Sequence, residues 1–171
     1  MRKVYVTVTG LLLVAIVLQF YFAAFGVFTE PDNDSQFLLH QMNGRIVLPV
    51  LCLLSIAAAA AARAPGRLIG LTAVPFGLLI LQTVLFLIAG LAGATEDRTN
   101  LAGQLILGLH AVNGLCILGT TILVFVRARN FARHGAETTA AATDDVEVAA
   151  VTHDSGTAAR PRAQSRDTAT S

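Results

Sequence analysis

His40 and His110 stand in the same five-residue pattern, His-x-x-Asn-Gly, within LLHQMNGRIV (38–47) and GLHAVNGLCI (108–117). The chain has two Asn-Gly dipeptides, and each follows a histidine at this offset. A neutral imidazole offers one nitrogen lone pair to a metal and one N–H to a second partner. Two imidazoles converging from opposite sides are the axial ligands of a b-type haem, each about 2 Å from the iron by analogy with other imidazole–metal bonds. On a helix, residues i, i+3 and i+4 share a face, so His40, Asn43 and Gly44 form one patch and His110, Asn113 and Gly114 another. A glycine one turn below each ligand would leave space for the flat porphyrin. Asn43, Asn113 or an opposing glutamine would accept the ring's other N–H and fix its orientation.

Arg45 lies five residues past His40 and is the only strongly charged residue well inside an apolar stretch. It would snorkel to the outer surface or pair with a loop acid, or neutralise an anionic group such as a haem propionate. His40 and His110 are therefore the candidate metal ligands. Asn43, Asn113, Gly44, Gly114, Arg45, Gln19 and Gln82 complete the candidate cofactor site.

Long apolar helices must carry these residues. Of the 171 residues 54% are hydrophobic and 13% charged, and the mean hydropathy is +0.66, which is a membrane protein's composition. Crossing a hydrocarbon core takes about 20 apolar residues. Four stretches qualify, at about 4–28, 37–62, 68–90 and 101–126. None shows the polar face of a soluble helix, so Asn-Gly here reads as a polar group beside a backbone notch and not as a hairpin turn. The first stretch follows Arg2 and Lys3 but is longer than a signal-peptide core, and it is expected to be retained.

The expected fold is thus all-α, an integral membrane four-helix bundle over residues 1–130. Arg2, Lys3, Arg63, Arg67, Arg127, Arg129 and Arg133 mark the cytoplasmic side. TEPDNDSQ (29–36) has three acids and no base, and TEDRTN (95–100) has two acids and one arginine; both loops are expected outside. The protein then sits in the plasma (inner) membrane as a multi-pass chain with both termini cytoplasmic. Helices 1–2 and 3–4 form two hairpins related by a pseudo-twofold axis along the membrane normal. Gln19 lies 16 residues beyond Lys3, and Gln82 lies 15 beyond Arg67. Both therefore sit about 23 Å above the cytoplasmic boundary. The histidines fall near the outer ends of their helices, so the polar residues converge in the outer half of the bilayer. From 131 to 171 the chain turns Ala/Thr/Ser/Asp/Arg-rich and is expected to be a disordered cytoplasmic tail.

Cys52 and Cys116 read as small packing residues. There is no Ser-His-Asp arrangement, phosphate loop, paired-cysteine motif or intramembrane carboxylate. Partners are expected to be the lipid bilayer and a membrane protein or a second copy of the chain, with no nucleic acid. A second reading makes the His/Asn/Gln patch helix-packing glue in a non-catalytic interaction or assembly protein. A third places a quinone or lipid headgroup between Gln19, Gln82 and the histidines, in a cleft open to the membrane.

QFYFAAFGVF (19–28), the H-x-x-N-G region of helix 2, Leu81–Gln82 and LHAVNGL (109–115) together resemble a family of small, uncharacterised four-helix membrane proteins of high-GC bacteria, domain of unknown function 6220, over about residues 1–130. The placement of His40 and His110, and H-x-x-x-G at 40–44 and 110–114, is similar to one half of a haem A synthase, which has a histidine pair on the second and fourth helices of each bundle. This resemblance implies haem binding by the pair. It does not extend to synthase activity, since the chain is a single bundle without an acidic residue shortly before either histidine.

Overall fold

The structure, a computed structural model, describes residues 1–29, 37–94 and 100–157, with side chains as far as residue 134. Helix α1 spans Arg2–Phe28, α2 spans Leu38–Ala61, α3 spans Gly66–Leu91 and α4 spans Leu101–Thr157. Among the described residues there is no strand, and all four helices are long and apolar enough to cross a membrane. The expected all-helical membrane bundle is therefore present. The acids of the α1–α2 and α3–α4 connections, Glu30, Asp32, Asp34, Glu96 and Asp97, lie outside the described residues.

The chain divides into two units after Ala132, and the packing that follows belongs to the first. The α4 backbone continues as helix to Thr157. Alanine recurs throughout this stretch and favours helix. Residues 158–171 lie outside the described part.

Two of the connections are fixed by their own chemistry. Arg63 takes φ 54° at the end of α2, with Ala64 N–H donating to Ala59 O (3.0 Å) and Arg63 N–H to Ala60 O (2.9 Å). This is a Schellman ending, with arginine in the left-handed position that glycine usually takes. Gly93, φ 84°, ends α3 in the same way. Asn100 then caps α4, its Oδ1 accepting from Gly103 N–H at 2.7 Å.

The buried rows show how alike α2 and α4 are. In α2 they are Asn43, Leu48, Cys52, Ser55 and Ala59; in α4 they are Asn113, Ile117, Thr121, Val124 and Ala128. The intervals run 5, 4, 3, 4 in one helix and 4, 4, 3, 4 in the other. The extra residue sits in a π-helical turn, Asn43–Val47, closed by Leu48 N–H donating to Asn43 O. Pro49 follows directly. It has no N–H to give a carbonyl one turn back, and its ring would crowd Arg45 O in a regular helix. The wider turn removes that conflict.

Two apolar clusters fill the interior. One joins Leu12, Ala15 and Ile16 with Leu48, Cys52 and Ile117. The other joins Tyr5 with Ala59, Ala62, Ala64 and Ala128. Tyr5 Oη meets Thr72 Oγ1 at 2.6 Å, and the Arg2 guanidinium lies 4.5 Å from the Phe131 ring centre, tying α1 to α3 and α4 near its start. Large apolar side chains such as Leu11, Val14, Leu53, Ile80 and Leu115 point outward, as lipid-facing residues do. Cys52 is buried and Cys116 exposed, and both are free thiols.

Candidate functional site

The site is two copies of one polar unit. In the first, Asn43 Nδ2 donates to the backbone oxygen of Ala15 (2.8 Å) and to Gln19 Oε1 (2.7 Å). Gln19 Nε2 in turn donates to His40 O (3.0 Å) and lies 3.2 Å from His40 Nε2. In the second, Asn113 Nδ2 donates to Leu78 O (2.9 Å) and to Gln82 Oε1. Gln82 Nε2 donates to His110 O (3.0 Å) and meets His110 Nδ1. Ala15 and Leu78 each lie one turn before the glutamine of their unit, so the asparagine–glutamine–carbonyl bonds of the two units correspond. Of the residues expected at one depth, the structure places Gln19 with His40 and Asn43, and Gln82 with His110 and Asn113.

Backbone carbonyls can only accept, and this fixes every amide. Ala15 O and Leu78 O require Nδ2 of each asparagine, which leaves each glutamine to offer Oε1 on that side. The glutamine's NH₂ is then pinned by His40 O or His110 O, and it must donate to whichever ring nitrogen it meets. His40 Nε2 therefore accepts, and its Nδ1–H donates to the backbone oxygen of Gln19 at 3.1 Å. At His110 the accepting nitrogen is Nδ1, so the proton sits on Nε2. Nε2 has no hydrogen-bond partner among the described residues, yet it is not among their buried unpaired polar atoms, where Thr121 Oγ1 alone stands. The two imidazoles thus meet their glutamine amides through different ring nitrogens, Nε2 at His40 and Nδ1 at His110.

Two expectations need correcting. The glutamine side chains donate to the rings instead of accepting from them, and the asparagines touch the glutamines and not the rings. The acceptor for an imidazole N–H is the main-chain oxygen of Gln19, a partner that residue type alone does not reveal. The glycine notches also have occupants. A Cβ on Gly44 would come within 2.8 Å of Gln19 Nε2, so this glycine admits the amide, while one on Gly114 would meet the edge of Phe20 at 3.5 Å.

Between the units lies a cavity of about 1000 Å³. Gln19, His40, Gly44, Gln82, His110 and Gly114 all line it, among mostly apolar side chains. The ring centres of His40 and His110 are 6.2 Å apart, with planes at 59°. Phe86 holds the other side of His110, edge-on at 4.5 Å. Arg45 also lines the cavity, is exposed, and has no acidic partner among the described residues. Sequence reasoning missed Phe20, Phe86 and the π-turn; Pro49, six residues after Asn43, was the signal for the turn. No cluster of three or more His, Cys, Asp or Glu side chains is present among the described residues, so a metal here would rest on the histidine pair.

The chain is similar to a family of unknown function, DUF6220, whose model matches residues 19–90. That stretch starts at Gln19 and takes in His40, Asn43 and Gln82. It ends before α4, so the unit completed by His110 and Asn113 is only half inside it. No curated protein and no solved structure matches the chain.

Proposed function

We propose that this membrane protein binds b-type haem between His40 and His110, for electron transfer or haem handling. The observation that carries the reading is the 6.2 Å between ring centres across a shared cavity. Two imidazole–metal bonds of about 2 Å, with the distance from each nitrogen to its ring centre added, come to roughly 6 Å. On the His40 side the donor chemistry needs one contact released. His40 donates Nδ1–H to a main-chain oxygen, the usual support for a metal-ligating imidazole. Its lone pair is on Nε2, where it gives up one 3.2 Å contact from Gln19. On the other side, Gln82 and Asn113 must reverse their amides before His110 can present a lone pair. A bound haem supplies one-electron redox chemistry, and Arg45 is placed to balance propionate charge.

The lysine and arginine pattern supports a plasma-membrane protein with both termini cytoplasmic. The test is expression in haem-replete cells, purification and a reduced-minus-oxidised spectrum. Haem bands that weaken when both histidines are replaced by alanine support the reading, and a folded, colourless protein overturns it.

The hydrogen bonds themselves favour a second reading. All of them join α1 to α2 or α3 to α4, as packing glue in an interaction or assembly protein would. A colourless His110→Leu protein that folds as well as its parent would support it. Recovery of a quinone by solvent extraction of the purified protein would instead assign the cavity to that ligand.

A further inference from the structure

We infer that the end of the bundle where α1 begins and α2 turns into α3 binds the phosphate groups of anionic phospholipids in the adjoining leaflet, in preference to zwitterionic ones. It uses neither histidine and does not rest on the haem reading. Tyr5, Ala59, Ala62, Ala64 and Ala128 pack together at this end, with Leu68 and Phe131 against them. Cations neighbour this cluster along the chain: Arg2 and Lys3 precede Tyr5, Arg63 separates Ala62 from Ala64, Arg67 precedes Leu68, and Arg127 and Arg129 flank Ala128. One small cluster thus gathers six positive side chains, all exposed. Among the described side chains there is no Asp or Glu to neutralise them.

The backbone adds to this positive field. Both α1 and α3 start at this end, neither has an acid in its first turn, and no side chain caps either one. Their unpaired N–H groups and the positive ends of their dipoles favour an anion. The end of α2 opposes them, but Arg63 and Ala64 N–H groups already occupy carbonyls of its last turn. Two guanidiniums are held in place by aromatic faces, Arg2 at 4.5 Å from the Phe131 ring centre and Arg129 at 5.7 Å from that of Phe125. Stacked in this way they lose less freedom when a phosphate takes their N–H donors. Beside Gly66, the first residue of α3, lies open space. Val4 and Val126, each next to a cation in the chain, are exposed as lipid-facing residues are, which sets the cations at the border of the hydrocarbon. At that level the phosphate within reach is a lipid's, and a basic cluster of this size beside membrane-spanning helices is the pattern that anionic headgroups bind.

Spin-labelled lipids measure this directly on the full chain in phosphatidylcholine vesicles. At low salt, labelled phosphatidylglycerol should associate with the protein about fivefold more strongly than labelled phosphatidylcholine, the effect of about one basic side chain per headgroup. Raising the salt to about 1 M, where charges are screened beyond about 3 Å, should remove most of that preference. Arg67→Gln combined with Arg127→Gln, which takes away two exposed charges, should at least halve it, and Arg67→Lys combined with Arg127→Lys should retain it. Equal association of the two lipids with the unmutated protein at low salt overturns the inference and needs no variant to fold; the cations would then serve an acidic protein partner or water. A preference that survives both high salt and the glutamine substitutions overturns it as well. Haem content has no bearing on any of these outcomes, so this inference and the haem reading fail separately.

Discussion

The unit built on Gln19, His40 and Asn43 and the unit built on Gln82, His110 and Asn113 share residue types, the His-to-Asn offset and the carbonyl one turn before the glutamine, yet they meet the amide through different ring nitrogens. The first closes on itself, with both His40 nitrogens bonded to Gln19. In the second, Gln82 meets Nδ1 alone, and Nε2 of His110 has no hydrogen-bond partner among the described residues. The π-turn occurs in the first helix alone, where Pro49 follows the pattern, and Gly44 there lies directly against the Gln19 amide. A repeated motif therefore guarantees repeated hydrogen-bonding partners. It does not guarantee repeated chemistry at the exposed atom, because neighbouring turns decide how each ring faces the amide.

The largest break in the comparison should come from the glycines. Gly44→Ala forces the Gln19 amide to move, at a cost of about 1–3 kcal/mol. Gly114→Ala meets Phe20 at ordinary contact distance and should cost under about 0.5 kcal/mol. Unfolding midpoints in mixed micelles measure both; equal losses would mean the notches do the same job. Next, Asn43→Leu and Asn113→Leu each remove two hydrogen bonds and should destabilise alike, by about 1–2 kcal/mol. A clear difference between them would show that the anchors are not equivalent after all. The smallest effect tests the connections: Arg63→Gly relieves a left-handed arginine and should raise stability by about 0.5–1 kcal/mol, as Gly93 already does for α3.

The four spans and the helical setting of both His-x-x-Asn-Gly patterns were legible because a bilayer imposes length and apolarity, which composition records directly. The convergence of Gln19, Gln82, His40 and His110 at one depth was legible, since rise per residue along a helix is fixed; which glutamine meets which histidine was not. The direction of the amide hydrogen bonds was not. It depends on the carbonyls of Ala15 and Leu78, and main-chain acceptors are present at every residue, so no side chain advertises which of them is used. Phe20 in the Gly114 notch was hidden for a related reason: it reaches across from the other hairpin, a contact with no period in the sequence.

One extra residue in a membrane-spanning helix ordinarily turns everything beyond it by about 100° and carries a buried row out into lipid. The wide turn at Asn43–Val47 absorbs that residue, and Leu48, Cys52, Ser55 and Ala59 keep step with Ile117, Thr121, Val124 and Ala128. An ungapped alignment of the two hairpins anchored on their histidines therefore pairs the wrong residues from position 48 onward. A single gap inside the turn restores the correspondence of the two buried rows.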